Sequence, residues 1–169
     1  GAFESARAAI QAADKQMGVV VSSKHQIVWE RSGAFLMNNV GGISMQNAGQ
    51  DVSNLAACAY MVLKQNHYSL DVKALSSQNK SVYEMLAQYM ASPVNLKGCS
   101  LDQVIYFVSN NKSVIAMTSD TEAVVISGYT NNQLYLFNPI NKKEVKVKRS
   151  EYQKIFEHAG NRFISYMED

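Results

Sequence analysis

Residues 51–65 read "DVSNLAACAYMVLKQ", and everything around this run has to be arranged to bury it. It opens with Asp51, Ser53 and Asn54, residue types whose side-chain oxygens satisfy the amide groups a first helical turn leaves free. From Leu55 it is apolar on nearly every side, so the spacing predicts a buried helix over roughly residues 54–66. A helix N-terminus carries partial positive charge and unpaired N–H groups, which lower a thiol's pKa and offer an oxyanion site. The one reactive side chain, Cys58, is not at that tip. It lies four residues beyond Asn54, about one turn or ~6 Å deeper. Among Leu55, Ala57, Met61 and Val62, burial should hold this thiol neutral, and packing is its expected role. Ser53 and Asn54 stand at the tip itself and, on spacing alone, read as caps.

Working outward, "ESARAAIQAADKQ" (4–16) reads as a helix, and "MGVVVSSKHQIVWERSG" (17–33) as a hairpin turning at "SSKH". The glycines of "NNVGGIS" (38–44) mark a loop. After the central helix, "KSVYEMLAQYMA" (80–91) sets Val82, Met85, Leu86 and Tyr89 at helical spacing, and "LDQVIYFVSN" (101–110) follows Ser100 as a second, shorter helix. The period then changes to two. "KSVIAMTS" (112–119), "EAVVISGY" (122–129) and "QLYLFNP" (133–139) read as strands, the last two joined through "TNN". "EVKVKR" (144–149) alternates Val145 and Val147 with charged residues, one face dry and one wet. "SEYQKIFEHAG" (150–160) is expected to be a helix with a serine cap and a glycine stop, and "RFISYM" (162–167) a last strand. A helical first half followed by a mostly antiparallel sheet makes the class α+β, with a long helix packed on the sheet.

The bulk numbers bound the function. At 169 residues, 47% hydrophobic and 18% charged, the chain suits one globular domain with a real core. Sixteen Lys and Arg against fourteen Asp and Glu leave a formal +2, too small a bias to argue for nucleic acid as a partner. No apolar run approaches the roughly 18 residues of a membrane span. The opening "GAFESARAAI" lacks the basic-then-apolar order of a signal peptide, and its bare leading glycine suggests a piece of something longer. Neither Cys58 nor Cys99 has a Cys-x-x-Cys or histidine neighbour, so no metal and no cofactor is expected. Cys99 reads as a loop thiol, more exposed than Cys58. His25 in a hairpin turn, His67 past a helix end and His158 in a last helical turn hold ordinary positions for solvated or dipole-satisfying histidines. Trp29 and Tyr129 read as core or wall residues, and the charges of Lys142 to Arg149 as a solvated strand face.

Together, "ISMQNAGQDVSNLAACAYMVLKQNHYSLD" (43–71), "NKSVIAMTS" (111–119), "EAVVISGYTNNQLYLFNP" (122–139) and "YQKIFEHAGNRFISY" (152–166) resemble the bacteriocin-processing, C39-like cysteine peptidases, whose fold is papain-like. The resemblance runs over residues 43–168, and residues 1–42 read as a lead-in of helix and hairpin packed on a 43–169 domain. It implies four functional positions. The oxyanion-hole glutamine falls on Gln46, eight residues before the nucleophile, and is kept. The nucleophilic cysteine falls on Asn54, where Gly-Cys-Glu reads Ser-Asn-Leu. The general-base histidine falls on Glu122, and the aspartate that orients it on Asn138. An amide cannot attack a carbonyl as a thiolate does, and a carboxylate with an amide cannot form the His–Asp relay. Shifting the register by one offers Ser53 as a hydroxyl nucleophile, still with no histidine near 122.

The expectation is therefore a catalytically inactive, C39-like domain of a larger exported bacterial protein, extracellular or at the cell surface. It would act by binding a peptide or protein segment in a remnant cleft lined by Gln46, Asn54, Glu122 and Asn138, or as a structural module. Two other classes stay open. One is an enzyme of altered chemistry, using Asn54 with Glu122, or Cys58 or Cys99 with a histidine brought by the fold. The other is an oligomerisation or spacer domain, marked by a large exposed apolar patch.

Overall fold

The computed structural model describes residues 2–24, 26–30 and 38–168. The chain runs α1 (Ala6–Gln16), β1 (Val19–Val21), β2 (Ile27–Glu30), β3 (Asn38–Asn39), α2 (Asn54–Gln65), α3 (Val72–Ser77), α4 (Val82–Ala87), β4 (Pro93–Asn95), α5 (Leu101–Ser109), β5 (Val114–Met117), β6 (Ala123–Tyr129), β7 (Gln133–Asn138), β8 (Lys143–Lys148), α6 (Arg149–His158) and β9 (Phe163–Tyr166). β1 and β2 form the expected hairpin; His25, placed in its turn by the sequence, lies outside the described residues. The other strands form one seven-stranded sheet in the order β4-β9-β5-β6-β7-β8, with β3 on β6, and every pairing is antiparallel.

The two faces of that sheet carry different helices. On one, Cys58, Met61 and Leu63 of α2 pack with Ile115, Met117, Ala123 and Val125, and Leu75 and Leu86 of α3 and α4 close the outside. On the other, Val104 and Phe107 of α5 and Phe156 of α6 meet Val114, Ala116, Ile126, Leu134 and Leu136. Ile10 and Ala13 of α1 and Trp29 of β2 join this second core. Because β6 lies between helices on both sides, all seven of its residues are buried, and it is apolar but for Ser127, whose hydroxyl donates to the Tyr135 carbonyl. The edge strand β8 keeps its alternation, Val145 and Val147 inward and its lysines outward, which also discourages pairing with another chain. The class is α+β as the period change predicts, with an N-capped, buried helix on an antiparallel sheet.

α2 is held as its sequence demands. Ser53 is the N-cap and its hydroxyl accepts from the Ala56 amide at 3.1 Å. His67, at φ 67°, takes the left-handed conformation that ends the helix, and the Tyr68 amide donates back to the Leu63 carbonyl at 3.0 Å. This histidine is a helix stop.

The structure corrects two sequence expectations and adds three elements. Ser150 does not cap the last helix. β8 runs directly into α6, whose first residue is Arg149, and Lys148 precedes it with no capping side chain. The start is fixed at Arg149 because its amide donates to the Asn132 carbonyl at 2.8 Å and its guanidinium holds Asp102 at 2.6 Å. Ser150 is thereby carried into the first turn. Cys99 is not exposed either: it is fully buried in the second core. Gly98 beside it, at φ +84°, lets Arg7 of α1 lie flat on the chain where a Cβ would meet the guanidinium Nε at 2.8 Å. α3, β4 and β3, at six, three and two residues, are too short to show a period, and β3 pairs with β6 at the start of the stretch read as a loop.

Candidate functional site

The site is the tip of α2 where it meets the start of β6. Asn54 is the first residue of α2, and its Oδ1 accepts from the backbone amide of Ala123 at 2.6 Å. That contact fixes the orientation of the side-chain amide, since the reverse placement would set two donors against each other. The Asn54 Nδ2 is buried and has no partner, and a buried donor left unpaired is rare enough to mark a position. Below it, the Cys58 thiol donates to the Ala123 carbonyl at 3.4 Å and stands 4.0 Å from Asn54 Oδ1. Cys58 is fully buried, and burial pushes its thiol far above the ordinary value for cysteine. It packs.

Glu122, immediately before β6, is exposed, and its carbonyl accepts from the Thr118 and Ser119 amides in a tight turn at 2.9 and 3.2 Å. The turn is clamped from the last strand. Arg162 donates to the Ser119 carbonyl at 2.9 Å and pairs with Asp120 at 3.0 Å. Asn138 ends β7. Because Val125 of β6 pairs with Phe137 of β7, the chain near Asn138 runs level with the start of β6 one strand away. Its side chain, however, turns to its own loop, with Oδ1 accepting from the Ile140 amide at 3.0 Å. Gln46 arrives from the segment before α2, which is tied here by the Ala48 amide to the Pro139 carbonyl at 3.2 Å. The Gln46 amide donates to the neighbouring Asn47 carbonyl at 3.0 Å.

The fold thus carries all four positions to one end of the sheet. Among the described residues it joins only Asn54 to the start of β6; no hydrogen bond links the side chains of Gln46, Asn54, Glu122 and Asn138 to one another. The two described histidines lie elsewhere. His67 closes the far end of α2, whose twelve residues span about 18 Å. His158 sits in the last turn of α6, on the opposite face of the sheet. Cys99 shares no core with Cys58, and both thiols are free. Burial, partly offset by the nearby Arg7 guanidinium, pushes Cys99 up to about 11. The partner that sequence reading missed is the Ala123 amide, and no pattern could have found it, because every residue but proline carries the same donor.

Among the described residues, no group of three His, Cys, Asp or Glu side chains could hold a metal ion, and no helix is long and apolar enough to cross a membrane. No protein-family model matches the sequence, and no match is found among curated proteins. Solved structures do match. A protein of Bacillus anthracis assigned as a C39-like peptidase superposes with a TM-score of 0.71 at 15% identity, covering 79% of this chain and 98% of that one. A double-glycine motif protease from an AMS/PCAT transporter, solved in complex with the leader peptide, superposes with a TM-score of 0.56 at 14% identity, covering 78% of this chain and 96% of that one. This chain therefore has the C39-like peptidase fold.

Proposed function

We propose that this chain is a pseudopeptidase domain that uses the C39-like scaffold to bind an extended peptide or protein segment without cleaving it. The observation that carries this reading is Asn54. It occupies the head of the central helix, and its side-chain oxygen is committed to the Ala123 amide. An amide has no lone pair basic enough for attack, and Cys58, the nearest thiol, is sealed and protonated. No described histidine stands at the helix tip to serve as a base. The peptide complex of the transporter protease shows what one protein of this fold holds. The exposed Glu122, with Gln46 and Asn138 at the same end of the sheet, offers this chain polar groups for a similar occupant. The same reading sets the domain at residues 43–169, with 1–42 as an added lead-in, inside a larger exported bacterial protein at the cell surface.

Two measurements test it. A thiol-reactive peptide probe is expected to give no saturable labelling of the native chain. Labelling at one cysteine, abolished by its replacement with serine, would overturn the assignment. Peptide libraries titrated into isotope-labelled protein are expected to shift amides near Asn54, Ala123 and Gln46; shifts confined to other surfaces would leave a structural module. An enzyme of altered chemistry is the second reading, favoured by both structural neighbours being peptidases. It predicts turnover in a fluorogenic peptide library that is lost in Asn54→Ala or Glu122→Gln.

A further inference from the structure

The lead-in carries an unfilled space. A cavity of about 780 Å³ opens between α1, the β1–β2 hairpin and the sheet, lined by Ala6, Ala9 and Ala13 on one side and Val28, Trp29 and Phe107 on the other. The cleft is open to solvent along one side, and its size lies within the range that holds a small ligand. Three of its wall residues, Phe3, Val19 and Val21, remain about half-exposed, which fits an apolar occupant. A second cavity, about 420 Å³ and more polar, shares the walls Ser22, Ser23, Val28, Phe107 and Met167 with the first. Lys112 and Lys24 line it. The Lys112 side chain is only 17% exposed, yet its ammonium makes no hydrogen bond among the described residues. Its ion partner is Glu168, an 87% exposed side chain at 3.6 Å, beyond hydrogen-bonding reach. An ammonium with three donors on a largely covered side chain, facing the cleft with one exposed carboxylate at 3.6 Å, is matched to receive a better-placed anion.

We infer that these adjoining clefts bind one single-chain amphiphile, a long-chain carboxylate, with its alkyl chain between α1 and the hairpin and its head on Lys112. The Glu168 carboxylate stands in for that head and moves aside when it arrives. The site lies on the α5 side of the sheet, away from the tip of α2, so its occupancy is independent of the peptide-binding reading.

Trp29 lines the apolar cavity and is the single tryptophan, so its emission reports occupancy. The test titrates the whole chain with hexadecanoate, hexadecanol and hexadecyltrimethylammonium, each below its micellar concentration. Hexadecanoate is expected to give a saturable change at one equivalent, with the alcohol weaker and the cation weakest. Lys112→Met should weaken hexadecanoate about tenfold and leave the alcohol unchanged. Ala6→Leu, which fills the cavity from a half-buried position, should abolish both with the circular dichroism spectrum retained. No saturable change with any amphiphile would overturn the inference. So would equal affinity for acid and alcohol with a neutral Lys112→Met, or an emission change driven by protein concentration alone, which would assign the face to a second copy of the chain.

Discussion

At the level of single residues, Asn54 combines a satisfied acceptor with an orphaned donor, and substitutions separate the two. Asn54→Ala strips the Ala123 amide of its partner and should lower stability by about 1–3 kcal/mol. Asn54→Asp keeps the acceptor but sets a charged oxygen at the buried, partnerless Nδ2 position, and its desolvation outweighs the about 0.3–1 kcal/mol that negative charge gains at a helix N-terminus. Urea denaturation should therefore rank both the Asp and the Ala variant below the parent. An alanine variant as stable as the parent would show that the Asn54–Ala123 bond contributes nothing. The two thiols give a second prediction. With Cys99 pushed up to about 11 and Cys58 higher still, neither is a thiolate at pH 8. A thiol reagent should label none in the native chain and two after unfolding; rapid native labelling of either would contradict its burial. The packing role of Cys58 was legible in the sequence, because its apolar neighbours are local. The burial of Cys99 was not, since the group that covers its loop is Arg7, in another helix.

At the level of elements, caps and alternation were readable because they are written within a few residues. Ser81 and Glu84 form a reciprocal capping box on α4, and hydrogen bonds from the Ser81 backbone amide and then its hydroxyl lower the Glu84 pKa. A depressed carboxylate pKa contributes stability above the unfolded value, near ~4.3, that is lost as pH falls through the folded value. The stability difference between the parent and Glu84→Gln should accordingly be present at pH 7 and vanish in acid. A difference independent of pH would remove the charge from the cap. α2 depends on burial: Leu63→Ala, at a fully buried position, should cost about 2–5 kcal/mol by denaturant melt. The start of α6 shows where element-level reading stops. Ser150 has the right residue type for a cap, but the β7–β8 ladder reaches Lys148 and delivers the chain to the helix one residue earlier.

At the level of the whole molecule, the lead-in and the sheet share one core. Trp29 is buried, its indole N–H donates to the Gln103 carbonyl at 2.9 Å, and the Gln103 amide donates to Asp14 at 2.9 Å. Tryptophan emission and circular dichroism should therefore lose signal in a single coincident transition. An earlier loss of the tryptophan signal would mean that α1 and the hairpin melt by themselves. Local patterns sufficed for the α+β class, the buried central helix with its serine cap, the wet and dry faces of β8 and the packing fate of Cys58. Each follows from periodicity or from neighbours a few residues away. What Asn54 does depended on long-range packing, because its partner is a backbone amide 69 residues on. It also decided that Asn138 and Gln46 turn to their own loops, and that an unfilled cavity remains beneath α1. Side-chain types mark where a group can act; distant backbone donors, and gaps between packed layers, leave no mark in the sequence.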